Sequence, residues 1–163
     1  LEPFFKKASE TRSGLFILVH TSNKGSKDIQ EMPLPNGTKC YEHLAKLLKP
    51  IIENQKGDQG LSSIGIVSGA TFKEESLALR KLLPSAPFLI PGYGAQGASA
   101  KDACAPLIKD SAFPNLLNFG LINASRSILF PEEAYLAKNI EEWKKLILDK
   151  INSTNKELIN INN

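Results

Sequence analysis

The chain has 163 residues, 42% of them hydrophobic and 7% aromatic, which is enough for one domain with a core of its own and too apolar for a disordered segment. Its net charge of +3 arises from basic residues interleaved with acids, so it lacks the electrostatic stripe of a nucleic-acid binder. No apolar run approaches the roughly 18 residues of a membrane span, and Cys40 and Cys104, without CxxC spacing, argue against a disulfide framework or a zinc site and read as reduced thiols of a cytoplasmic protein.

In chain order, residues 1–14 read as the end of a helix and a turn, and a start at Leu1 is expected of a piece of a longer protein. Leu15 to His20 is a continuous apolar run, predicted to be a strand buried on both faces. Lys24 to Lys39 holds two prolines and two glycines with no period, and is expected to be a mobile loop over a site. A helix from about Tyr41 would bury Leu44, Leu47, Leu48 and Ile51 or Ile52, with Pro50 kinking or ending it.

Ile64 to Val67 is a second strand, followed by a helix that Thr71 and Glu74 would open as a capping box and Pro84 would close. Phe88 to Ile90 is a third strand, and a short helix starts at Ser99 with Asp102 at its third position. Gly120 to Asn123 is the fourth strand. The final helix carries Ile140, Trp143, Leu146, Ile147 and Ile151 on one side, with Trp143 as a core anchor, and residues 152–163 are expected to fray as a polar tail.

Strand, loop and helix in fourfold repetition predict a parallel sheet with right-handed crossovers, either an open doubly wound sheet or part of a (β/α)8 barrel. Both architectures bind ligands at the carboxyl ends of their strands, and here every polar motif follows a strand. Pro91-Gly92-Tyr93-Gly94-Ala95-Gln96-Gly97 suits backbone capture of an anion, because glycine allows positive φ and close approach. The same residues also suit a plain tight turn; they match neither the GxGxxG fingerprint nor a P-loop.

Arg126, three positions beyond a strand and preceded by the small residues Ala124 and Ser125, is placed to pair with phosphate, with a surface ion pair as the plain alternative. Gln96 either bonds a phosphate oxygen or caps the turn. His20 invites a general-base role but reads as a core or rim residue, and His43 as structural. No nucleophile and base couple, and no pair of carboxylates, emerges. The residues by themselves reach a phosphate-binding α/β fold without a reaction.

In order, Thr21-Ser22-Asn23-Lys24-Gly25, Gly69-Ala70-Thr71, the glycine stretch and Ser125-Arg126-Ser127-Ile128 resemble the carboxyl-terminal half of orotidine 5'-phosphate decarboxylase, with Asp28-Ile29-Gln30 and Tyr41-Glu42-His43 similar to the longer bacterial subfamily. The resemblance runs from Leu15 to Phe130. It implies the last four βα units of a (β/α)8 barrel over 15–151, orotidine monophosphate and uridine monophosphate as ligands, no metal or organic cofactor, and a homodimer.

By the same resemblance, Ser22 hydrogen-bonds the pyrimidine, Gln96 bridges base and phosphate, and Arg126 pairs with the phosphate, with backbone groups around Gly94 and Ser125 completing the anion site. Ser125 stands where many members carry glycine. The family's catalytic Asp-x-Lys-x-x-Asp segment has no match, so no catalytic residue is assigned in this chain and those groups are expected upstream. The other readings are a different phosphate-binding barrel, such as a sugar-phosphate epimerase or aldolase, and a half-barrel that binds nucleotide without catalysis.

Overall fold

Four apolar runs form one parallel sheet in the computed structural model, which describes residues 1–111 and 117–161. The strands are β1 (Leu15–His20), β2 (Ile64–Ser68), β3 (Phe88–Pro91), a two-residue antiparallel pair β4 (Ile108–Lys109) and β5 (Leu117–Asn118), and β6 (Gly120–Asn123). The sheet order is β1-β2-β3-β6. The helices are α1 (Glu2–Thr11), α2 (Cys40–Asn54), α3 (Lys73–Leu82), α4 (Ala100–Cys104), α5 (Arg126–Leu129) and α6 (Ile140–Asn160). None of them, among the described residues, is long and apolar enough to cross a membrane.

Register decides which residues share a face. Ile17 pairs with Ile66, Ile66 with Phe88 and Phe88 with Gly120, and this row lies against Ala45, Leu48 and Ile52 of α2, Leu79 of α3 and Ala103 of α4 in the core. The next row, Leu18, Val67, Leu89 and Leu121, projects to the other face because side chains alternate along a strand. There Phe16, Leu18 and Leu121 are exposed. The strands at the two edges are therefore buried on one face only, where the unbroken apolar runs predicted two.

Helix α2 buries Tyr41, Ala45, Leu48 and Ile52 and leaves Leu47 exposed, so its stripe is rotated from the predicted one. It also runs through Pro50 to Asn54. One ladder bond is lost there, since proline has no N–H, but the complete burial of Ile52 two residues on keeps the turn in place. Residues 24–39 are tied at several points: a 3-10 turn at Lys24–Asp28, a bridge between Pro33 and Lys39, and Leu34 N–H to the Thr38 carbonyl at 2.8 Å.

The expected frayed tail is helix as far as Asn160. Thr154 is buried, Leu158 and Ile161 pack on the core, and the Tyr93 hydroxyl donates to Glu157 at 2.7 Å, so tertiary contacts hold a stretch whose composition is polar. Trp143 is only half-buried and lies outside the core cluster.

At the amino ends of the strands, Arg80 is buried over the Phe88 ring, 3.8 Å from its centroid. It donates from Nε to the Pro106 carbonyl and from its two Nη atoms to Ala86 and Phe119, each at 2.7 Å. Burial lowers its pKa to about 10.

Candidate functional site

The polar motifs gather at the carboxyl ends of the four strands because hydrogen bonds chain those ends together. The Gly69 N–H donates to the His20 carbonyl and the Ala70 N–H to the Pro91 carbonyl, each at 2.8 Å. The Thr71 hydroxyl donates to the Ser22 carbonyl at 2.8 Å. Helix α3 accordingly begins after Phe72 with no side-chain cap, and the predicted Thr71 and Glu74 capping box is not made. Thr71 has been diverted to a residue 49 positions earlier.

Gly92 sits at φ 106°, and a β-carbon on it would lie 2.7 Å from Cβ of Ser22. Only glycine gives both the backbone angle and the space. A β-carbon on Gly69 would likewise meet Ser22 backbone atoms at 2.6 Å. Ser22 is thus enclosed by the loops that follow β2 and β3.

The glycine stretch closes on itself. Gly94 N–H donates to the Ala98 carbonyl at 3.0 Å, and Gly97 N–H to the Gly94 carbonyl at 2.8 Å. The Gly94 amide is therefore spent within the turn. The Ala95 and Gln96 amides donate to no backbone carbonyl among the described residues, and both residues are exposed.

Pairing of Pro91 with Asn123 sets this turn beside the end of β6. Gly94, Ala95, Arg126 and Ser127 line one cleft of about 460 Å³, whose lining also includes Glu133 and Lys150. Arg126 is exposed at the first position of α5 and makes no ion pair among the described residues. The Ser127 hydroxyl oxygen is buried without a hydrogen-bond partner, and it would lie 3.0 Å from a β-carbon on Gly94. A shielded hydroxyl without a partner, in the lining of a cleft that Arg126 also lines, is a polar group left to be satisfied.

Comparison with known proteins places the chain. An orotidine 5'-phosphate decarboxylase of Clostridium perfringens is 40% identical over 134 residues, covering 82% of this chain and 44% of that protein. One from Clostridium tetani is 42% identical over 142 residues, covering 87% and 46%. The chain belongs to the orotidine 5'-phosphate decarboxylase family. It spans about half the length of these curated relatives, a share that fits the carboxyl-terminal half.

Solved structures agree. An orotidine monophosphate decarboxylase of Leishmania donovani has a TM-score of 0.60 at 28% identity, covering 92% of this chain and 50% of its own. The UMP synthase of the same organism has a TM-score of 0.54 at 30% identity, covering 84% and 27%. No protein-family model matches the chain. The four-stranded parallel sheet is part of the (β/α)8 barrel of decarboxylases of this family, and neither an epimerase nor an aldolase is favoured.

Against that decarboxylase barrel, the residues expected to bind substrate fall into two groups. Gly94 and Arg126 share the cleft after β3 and β6. Ser22 stands apart from it beside Gly92, and Gln96 is exposed on the turn between. The Ser125 hydroxyl turns to Asn123 Oδ1 at 3.4 Å.

His20 is 1% exposed between the rings of Tyr41 and Phe72, at 4.7 and 4.5 Å between centroids. It is core, but not a satisfied one: Nε2 is 3.6 Å from Glu31 Oε1 and has no hydrogen bond. Glu31 is held instead by Lys39 Nζ at 2.9 Å. His43 is exposed on α2. Ser127 and Gln30 were legible only as members of motifs. Nothing local marks a serine whose hydroxyl will be orphaned, or a glutamine that will reach back nine residues to Thr21.

Proposed function

We propose that this chain forms the phosphate- and pyrimidine-binding half of an orotidine 5'-phosphate decarboxylase, which converts orotidine monophosphate to uridine monophosphate and carbon dioxide in de novo pyrimidine synthesis. The observation that carries the proposal is the cleft in which Arg126, Gly94 and the unsatisfied Ser127 hydroxyl meet, in a chain about 40% identical to such enzymes.

In this reading Arg126 pairs with the phosphate, the free amides of Ala95 and Gln96 and the Ser127 hydroxyl complete its shell, and the Gln96 side chain reaches toward the base. Ser22, held beside Gly92, hydrogen-bonds the pyrimidine. Carbon dioxide leaves with the bonding pair left on the ring carbon, and a lysine from the upstream half of the same protein protonates that carbon. No metal or organic cofactor takes part. Energy from the remote phosphate stabilises the transition state at the reacting carbon, so this half by itself binds without turnover. The complete protein works in the cytoplasm as a homodimer.

The test is made on the full-length protein that contains this segment. Orotidine monophosphate absorbance is followed, and uridine monophosphate affinity is measured by calorimetry. Arg126→Ala is expected to weaken that affinity by about ten- to a hundredfold, the loss of a charge-assisted hydrogen-bonded pair. Unchanged affinity, or a wild-type protein without decarboxylation, overturns the proposal.

A further inference from the structure

We infer that Gln30 is the positioning residue for Ser22: its side-chain amide, reaching back from the loop after β1, fixes Thr21 and through it the serine that follows. The inference rests on the proposed role of Ser22 at the pyrimidine. Thr21 is the first residue beyond β1, after a register shift between Leu18 and His20, and its N–H donates to Gln30 Oε1 at 2.8 Å rather than to the sheet. Its hydroxyl lies 3.1 Å from Gln30 Nε2 and 3.3 Å from Oε1. One amide therefore grips both the backbone and the side chain of Thr21.

Gln30 is itself held at both backbone atoms. Its N–H donates to the Ser26 carbonyl at 2.8 Å, and its carbonyl accepts from Tyr41 N–H, in the first turn of α2, at 2.9 Å. The grip on Thr21 is thus referred to a long helix packed in the core. On its other side Ser22 is fixed by the Thr71 hydroxyl on its carbonyl and by the absence of a β-carbon at Gly92. With its backbone held from both ends, Ser22 keeps only its side-chain rotation. Its hydroxyl makes no hydrogen bond among the described residues, which leaves it free for a ligand. A displacement of about 1 Å at such a group is enough to cost a hundredfold in rate.

The residue type matters. Methionine matches glutamine in length and removes both bonds to Thr21. Glutamate keeps an acceptor for the Thr21 N–H, and the Thr21 hydroxyl is able to turn and donate to it. In the full-length protein, Gln30→Met is expected to lower kcat for orotidine monophosphate by about tenfold or more, while uridine monophosphate affinity changes less than about threefold, since the phosphate carries most of it. Gln30→Glu is expected to restore most of kcat.

If Gln30 acts through Ser22, the double variant Gln30→Met with Ser22→Ala is no slower than Ser22→Ala by itself. Kcat and KM at the wild-type values in Gln30→Met overturn the inference. So does multiplication of the two effects in the double variant, or a loss that follows the melting temperature without rescue by Gln30→Glu. A wild-type protein without decarboxylase activity fails the underlying reading instead, so the two failures are distinguishable. Where Gln30→Met does not fold, the comparison of Gln30→Glu with Gln30→Lys, which supplies no acceptor, decides the same point.

Discussion

His20 brings a titratable ring into an aromatic slot with Glu31, Glu75 and Lys39 as its charged neighbours. Burial lowers its pKa below 6.5, against the opposing pull of Glu31. The unfolded chain therefore binds a proton at a pH where the folded chain does not, and stability rises with pH through that window. Stability is expected to be full above about pH 7 and to fall as pH drops through 6.5 toward the lowered folded value. Replacing His20 with Gln removes that part of the slope, which denaturant titrations at a series of pH values between 5 and 8 will measure. Carboxylates such as Glu31, whose pKa is lowered chiefly by its hydrogen bond to Lys39, act at lower pH, where their stabilising contribution is lost on acidification. The position of His20 at a strand end was plain in the sequence. That its Nε2 would find no partner was not, because Glu31 arrives from a loop whose path no local pattern specifies.

Among the elements, α4 is the case where a local signal became the structure. The short helix predicted to start at Ser99, with Asp102 at its third position, does start there, and the two residues form a capping box: the Ser99 hydroxyl accepts from the Asp102 N–H at 3.2 Å, and Asp102 Oδ2 accepts from the Ser99 N–H at 3.2 Å. The hydrogen bonds from Ser99 hold the Asp102 carboxyl below its usual pKa. Ser99→Ala is expected to destabilise the protein by about 1 kcal/mol, read from the denaturation midpoint. Helix α3 had an equally good signal in Thr71 and Glu74, yet its threonine serves Ser22. The difference is competition: Ser99 is exposed and, among the described residues, its hydroxyl bonds only with Asp102, whereas Thr71 sits where three strand ends converge. Helix α6 shows the reverse, for the Tyr93 hydroxyl and the burial of Thr154 extend it through residues that composition marks as a tail. Burial, aided by the bond to Glu157, raises the Tyr93 pKa to about 12, so that hydroxyl stays a donor at neutral pH.

For the whole molecule the governing feature is a sheet with helices on one side. Leu18, Val67, Leu89 and Leu121 form a row across all four strands on the other side, and its two ends are exposed. In a closed barrel such rows fill the interior, and the relatives are about twice as long as this chain. The proposed upstream half would cover the row. Leu121→Asp distinguishes the two environments. In the full-length protein it is expected to destabilise by several kcal/mol, as an unpaired charge placed in an apolar interior. If the row stays in water, the change is within about 0.5 kcal/mol, as for an ordinary surface substitution. Denaturant unfolding of the full-length variant measures which applies.

The order of strands, the placement of polar motifs after them and the cap of α4 follow from the sequence by itself, because each depends on residues within a few positions of one another. The four apolar runs are long enough to demand burial, and the glycines at 92 and 94 stand where the backbone takes positive φ. Tertiary structure decided the rest: which face of the sheet the helices cover, how far α6 extends, that Gln30 grips Thr21, and that the Ser127 hydroxyl is left without a partner beside Gly94. Each of these depends on a contact beyond the reach of local pattern, from the nine positions between Thr21 and Gln30 to the 64 between Tyr93 and Glu157. Where two acceptors compete for one hydroxyl, or two faces for one helix, the outcome is settled by packing that local pattern does not encode.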